Sequence, residues 1–229
     1  MNRMKEAFSS PVFRLRVLMS LLGVVICAIS VGMFKTAALG VDPFQSLMSG
    51  LDAMIPISFG TLYVIANAVL LIFSLIADRH YIGIATFINL FLLGYITQFT
   101  QYLLEPLFAG AGLVVRLILL LVAIVILCFA SALYMTADLG VSTYDAVALV
   151  ITGTWKKGKF KYVRIITDLC CVCIGAGLFL AAGHTVSEIP TVVGIGTIIT
   201  AFFMGPLIEV FNEKCARPML RRSEEKTKG

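Results

Sequence analysis

Stretches of 18 to 25 uncharged, mostly apolar residues recur along the chain between isolated charges, from Arg16–Lys35 to Glu188–Glu209. A helix rises about 1.5 Å per residue, and a hydrocarbon core about 30 Å thick needs about 20 of them. The pattern predicts six transmembrane helices, at 15–37, 58–77, 81–104, 113–137, 162–182 and 191–211. Two shorter helices are expected between the first and second spans and between the fourth and fifth. Asp42 is a good N-cap, Pro43 suits the first helical position, and Gln45 stands where a capping box places its partner. Ser142, Thr143 and Asp145 repeat that arrangement. These elements should run to about Ala53 and Ile151. At about 18 Å they are too short to cross, so they re-enter the membrane or lie at its interface.

Composition explains why the spans need lipid. The 229 residues are 59% hydrophobic and 14% charged, with mean hydropathy +0.98. Soluble chains carry about 25% charged residues, and this chain has too few polar residues to cover a core of that size. The net charge of +5 suits nucleic acid until the cations are located. Arg3, Lys5, Arg14 and Arg16 precede the first span, and Arg79 follows the second. Lys156, Lys157, Lys159, Lys161 and Arg164 lie between the fourth and fifth, and Lys214, Arg217, Arg221, Arg222, Lys226 and Lys228 follow the sixth. With six spans, all but Lys35 and Arg116 fall on one face, which places both termini in the cytoplasm. The basic charge therefore reads as topology and attraction to the bilayer, with no nucleic-acid partner. The first apolar run is longer than a signal-peptide core and belongs to a repeat, so it is expected to stay in the fold.

The chain is duplicated. Phe34-Lys35-Thr36-Ala37-Ala38-Leu39-Gly40-Val41 returns as Tyr134-Met135-Thr136-Ala137-Asp138-Leu139-Gly140-Val141. Ile82-Gly83-Ile84-Ala85-Thr86 returns as Val193-Gly194-Ile195-Gly196-Thr197, with Gly94 matching Gly205 and Gln98 matching Glu209. Phe59 and Asn67 align with Phe160 and Asp168. Each half (15–107 and 113–211) holds three spans, and an odd number makes the second half enter from the opposite side. The expected fold class is an all-α polytopic membrane protein: two inverted three-span repeats, each with a half-helix, flanked by a cytoplasmic N-terminus (1–14) and a basic, flexible cytoplasmic tail (212–229). If the half-helices crossed, eight spans in two parallel repeats would result. Asp42, Gln45, Asp52 and Asp145 make such crossings costly, so six spans are preferred.

The strings Leu39-Gly40-Val41-Asp42-Pro43-Phe44 and Ser58-Phe59-Gly60, with the two Gly-Ile-x-Thr blocks, resemble the YczE/YitT-like group of bacterial membrane proteins. The resemblance covers the chain from first span to last. Members often carry Ser before the Pro and Trp-Asp after it, where this chain has Asp42, Phe44 and Gln45. Without the C-terminal soluble domain of longer YitT-like members, the chain is closer to the YczE-like branch. The resemblance implies a protein of the bacterial cytoplasmic membrane and supplies no substrate or catalytic residue.

Polar residues inside spans are the functional candidates. Asn67 and Asp168 are repeat partners near mid-span, and an intramembrane ionisable group marks a functional site by default. Pairing of Asp168 with Arg164, four residues earlier, is the structural alternative. Asn67 and Asn89 could contact a solute or bridge helices. Asp138 ends its span as a further solute-binding candidate, whereas Lys35 is expected to snorkel to headgroups. The half-helix starts at Asp42/Pro43 and Ser142/Thr143 present free N–H groups to a ligand if they reach the midplane; a first span ending at the outer interface would make them surface caps. The glycines of the third and sixth spans predict that these two helices pair at the centre. The six cysteines show no metal spacing, and no cofactor, nucleophile or catalytic-carboxylate motif is present, so an enzyme is not expected. Two readings follow: passage of a small solute, or an accessory protein acting through a partner. A homo-oligomer stays open.

Overall fold

The computed structural model describes residues 10–158 and 160–228. Arg3, Lys5 and Lys159, and the side chains of Phe160, Lys161, Lys226 and Lys228, lie outside the described residues, so their part in the charge pattern and repeat is left aside. Among the described residues the fold is helical, with no strand. The helices are α1 (Pro11–Ala37), α2 (Pro43–Met54), α3 (Phe59–Ala77), α4 (Ile84–Phe108), α5 (Leu113–Ala137), α6 (Thr143–Leu149), α7 (Phe160–Ala181), α8 (Ile189–Val192), α9 (Ile195–Phe211) and α10 (Arg217–Lys228). A wider π turn, Val150–Thr154, extends α6. The half-helices start as expected: Asp42 Oδ1 accepts from Gln45 N at 3.2 Å, and Ser142 Oγ accepts from Asp145 N at 3.1 Å.

Five helical segments are long and apolar enough to cross a membrane: Pro11–Ala37, Phe59–Ala77, Leu113–Ala137, Tyr162–Ala181 and Val186–Ser223. The expected span at 81–104 forms a helix, α4, that is not among these five. It has the length, but Thr86, Asn89, Thr97, Gln98, Thr100 and Gln101 lower its hydropathy. Four of these are buried against neighbouring helices; Thr97 Oγ1, for example, donates to the Ala28 carbonyl at 3.1 Å. Its polarity faces inward.

The centre is formed by α1 and α5, not by the two glycine-bearing helices α4 and α9, which flank them on α1 and α5 respectively. The reason is that Gly94 accommodates Tyr63 of α3, while Gly205 has open space around it. The central pair is antiparallel. Arg116, near the start of α5, donates from Nε to the Ala37 carbonyl at 2.7 Å and from Nη2 to the Ala38 carbonyl at 2.5 Å. Arg16, near the start of α1, donates to the Ala137 carbonyl at 3.4 Å. Each helix thus places a guanidinium on the carbonyl end of the other, where the macrodipole favours positive charge.

The halves also exchange their half-helices: α2 packs on α7, and α6 packs on α3. The turn after α1 is reversed by Ala38 (φ 49°) and Gly40 (φ 94°), and the turn after α5 by Asp138 (φ 51°) and Gly140 (φ 110°). Glycine is required at 40 and 140 because positive φ coincides there with close approach to the backbone of Gly194 and Gly83. These reversals carry the chain back into the bundle, so the caps do not stay at the ends of α1 and α5.

Residues 212–228 are not a flexible tail. A π turn (Asn212–Ala216) joins α9 to α10, which packs on α1. Thr136 Oγ1 donates to Asn212 Oδ1 at 3.0 Å, and Arg217 pairs with Glu209 at 2.8 Å. Those local partners give the segment an anchor that its charge-rich composition does not reveal.

Where α2 crosses α7, the backbones of Gly50 and Gly175 touch, and a methyl on Gly50 has no room; Gly177 on the same helix faces nothing within 4 Å. Overpacking of this kind costs about 1–3 kcal/mol. Gly50→Ala should therefore lower the melting temperature in detergent, while Gly177→Ala leaves it unchanged. Equal shifts would place the α2–α7 contact elsewhere.

Candidate functional site

The two half-helices begin deep in the bundle. Thr143, first residue of α6, is level with the middle of α3: its Oγ1 donates to Asn67 Oδ1 at 2.5 Å. The far end of the same element meets the end of α3, where Thr154 Oγ1 donates to Asp78 Oδ2 at 2.6 Å. Likewise Phe44, at the start of α2, clusters with Cys171 in mid-α7. The two starts face each other across a stacked pair, Phe44 and Tyr144, with ring centroids 4.8 Å apart.

Between them lies a cavity of about 440 Å³, within the size range of small-molecule sites. Its polar wall residues include Asp42, Gln45, Tyr63, Asn67, Asn89, Ser131, Tyr134, Asp138, Ser142, Tyr144, Asp145 and Arg164. Asn67, Asn89, Asp138, Asp42 and Ser142, picked out from sequence, thus converge on one space. Pro43 and Thr143 do not line it, although both are buried beside it.

The candidates have different surroundings. Asn67, 1% exposed, has both ends of its amide engaged, since Nδ2 donates to the Tyr63 carbonyl at 2.8 Å and Oδ1 accepts from Thr143. It fastens α6 to α3. Asn89 Oδ1 accepts from the Tyr63 hydroxyl at 3.3 Å. Asp138 has an 89% exposed side chain 3.9 Å from Arg16. Asp168 is set back from the wall: Oδ1 accepts from the Tyr144 hydroxyl at 2.6 Å and lies 3.2 Å from Arg164 Nε. Arg164 also pairs with Asp145 and lies 4.3 Å over the Tyr144 ring. This cation is held between two carboxylates and an aromatic face: the pairing with Asp168 is the one its spacing offered, and the fold adds Asp145 and Tyr144.

Two wall residues have buried atoms with no hydrogen-bond partner: Gln45 Oε1 and the Tyr134 hydroxyl. Unpaired buried polar atoms are rare and costly. The repeat alignment could have drawn attention to these walls, since Phe44 aligns with Tyr144 and Phe34 with Tyr134, each exchange adding a hydroxyl to the second half.

A second, smaller space of about 250 Å³ is lined by Lys35, Val41, Ser49, Asp52, Gln101 and His184, among others. Its Lys35, Val41 and Ser49 are the repeat equivalents of Met135, Val141 and Leu149 in the large cavity. Lys35 does not snorkel outward: its side chain is 10% exposed, 3.8 Å from Asp52 and 3.4 Å from the Phe59 ring centroid. The aromatic face and the carboxylate stabilise the ammonium inside the fold.

Helices of this length and hydropathy around an internal cavity define a helical membrane protein. The chain belongs to DUF6198, a family of unknown function, whose profile matches residues 14–213. It is similar to an uncharacterized protein of Haemophilus influenzae, 26% identical over 193 residues, covering 84% of this chain and 81% of that protein. It is also similar to the uncharacterized protein YyaS of Bacillus subtilis, 23% identical over 202 residues, covering 88% and 94%. No solved structure matches.

Removing the Asn67 amide leaves the Thr143 hydroxyl buried without its partner, a cost of about 1–3 kcal/mol. Asn67→Ala should lower stability by that amount, and Thr143→Val should make the loss smaller when combined with it. A double-mutant cycle of melting temperatures reads the coupling; strict additivity would show that the 2.5 Å contact contributes nothing.

Proposed function

We propose that the protein moves a small solute across the bacterial cytoplasmic membrane, as a six-span inverted-repeat transporter or channel with both termini in the cytoplasm. The observation that carries the reading is the cavity between two half-helix starts, with polar wall atoms left unpaired. Inverted-repeat transporters bind solutes at such half-helices. The antiparallel α1–α5 pair and the reciprocal half-helix exchange support inversion, and counting α4 as a span rests on its length and inward-facing polarity. A YczE/YitT-like relationship within bacterial membrane proteins is consistent with this reading. Asn67, Asn89 and Asp138 are the proposed solute-facing candidates, and Asp168 acts by holding Arg164 and Tyr144.

An asymmetry between the halves supports motion. In the first half α3 packs along α4, with Gly60 N donating to Gln98 Oε1 at 3.0 Å and Thr61 Oγ1 lying 3.2 Å from the Tyr95 hydroxyl. In the second half α7 and α9 have no comparable contact among the described residues. One seam is closed where its counterpart is open, and the two spaces differ in size. Exchange of the two arrangements would carry a central site from one side to the other. The competing reading, an accessory protein, requires neither side-specific water access nor exchange.

Sealed vesicles of each orientation test the reading. With native cysteines replaced by alanine, Leu149→Cys should react with a membrane-impermeant thiol reagent from the cytoplasmic side, and Ser49→Cys from the external side. Reaction of both from one side, or of neither, would contradict transport through an inverted pair.

A further inference from the structure

We propose that the large cavity takes a small organic cation carrying N–H donors, an amine or guanidinium with an apolar body, and that Asp42 is its counter-ion. The inference rests on the transport reading and adds the chemical class of the solute.

The first observation is uncompensated charge. Asp42 Oδ1 accepts from Gln45 N, and among the described residues no cation lies within ion-pair distance of its carboxylate. Arg164 is the nearby cation whose field reaches Asp42, but it is already paired with both Asp145 and Asp168. Two carboxylates around one guanidinium leave that group net negative as well. An anionic solute would meet repulsion from both, whereas a cation would meet attraction.

The second observation is independent of charge. Gln45, 3% exposed and one turn into α2, lines the same cavity with an amide oxygen that no donor reaches. That oxygen needs an N–H or O–H. The Tyr134 hydroxyl, also in the cavity wall, is likewise without a partner. A metal ion would seek several oxygens, yet no cluster of three or more His, Cys, Asp or Glu suited to a metal occurs among the described residues.

The third is the apolar part of the wall. Phe44 and Tyr144 stack, and Tyr63 meets Phe44 edge-on at 6.0 Å. Tyr144 already has Phe44 and Arg164 against its ring, so the aromatic part of the wall serves the hydrocarbon body of the solute. Carboxylate, amide oxygen and apolar wall together select a protonated amine with a hydrocarbon body over an inorganic ion or a carboxylate.

The experiment uses the full-length protein in lipid nanodiscs, with benzylammonium as probe and thermal shift plus calorimetry as readouts. Benzylammonium should raise the melting temperature, since a ligand of the native state stabilises it. Tetramethylammonium, which has no N–H, should bind at least tenfold more weakly, and benzoate and benzyl alcohol should have no effect. Asp42→Asn keeps a good N-cap while removing the charge, and should weaken benzylammonium at least tenfold with the unliganded melting temperature little changed. Gln45→Met, of similar length, should narrow the gap between benzylammonium and tetramethylammonium. Binding of benzoate, stabilisation by sodium alone, no response to benzylammonium, or full affinity in Asp42→Asn would each overturn the assignment. The vesicle-labelling result separates the two failures: side-specific labelling without amine binding removes the solute class alone, while loss of both removes the transport reading.

Discussion

Two stretches of non-helical backbone, 38–42 and 138–142, lie inside a helical bundle, and their peptide groups must find partners there. The partners come from the other half. Gly196 N donates to the Leu39 carbonyl at 2.8 Å, and Val41 N to the Val192 carbonyl at 3.2 Å. In the same register, Ala85 N donates to the Leu139 carbonyl at 3.0 Å, and Val141 N to the Tyr81 carbonyl at 3.1 Å. Thr86 and Thr197 complete the pattern by accepting from Gly83 N and Gly194 N, each at 3.2 Å. One interface is used twice, as a two-fold relation between the halves requires. Neither broken helix is satisfied without the opposite half.

The remaining architecture follows from that exchange. Because the turns are clasped inside the bundle, the half-helices start at mid-length of the opposite half's long helix, and their capped ends face one another. The cavity is what separates them. Arg16 and Arg116 hold the ends of the central antiparallel pair, so the frame is fixed at both extremities while the α7–α9 side stays loosely packed. Polar residues are concentrated where the frame is interrupted, and the wall is polar there because Asp42 and Ser142 are caps and wall residues at once.

Much of this was legible in the residues. Charge spacing located every long helix to within a few residues, the starts of α1 and α9 and the end of α4 being furthest off, and Asp42-Pro43 and Ser142-Thr143 marked both half-helix starts. The duplicated strings were visible too, but not that the Leu-Gly-Val string of one half meets the Gly-Ile-x-Thr string of the other. That contact is non-local and depends on the reversals at Ala38 and Asp138, which are non-glycine residues in a left-handed conformation. Arg16 and Arg116 read as charge alone, since cations near span ends follow membrane topology whatever they touch; for Arg164 the spacing showed the partner four residues on, Asp168, but not Asp145. Gln45 looked like a capping partner because its spacing fits one. Its unpaired oxygen depends on neighbours far away in sequence.

The central claim is that two equivalent halves hold unequal arrangements that exchange. Distance distributions between paired spin labels in nanodiscs test it most directly, with one pair at Ile72 and Phe91 across α3–α4 and the other at Ile174 and Phe202 across α7–α9. The account predicts two populations at each seam, the shorter dominating at α3–α4 and the longer at α7–α9, with conditions that shift one seam shifting the other in the opposite sense. A single narrow distance at both seams, unmoved by any cation, would contradict it.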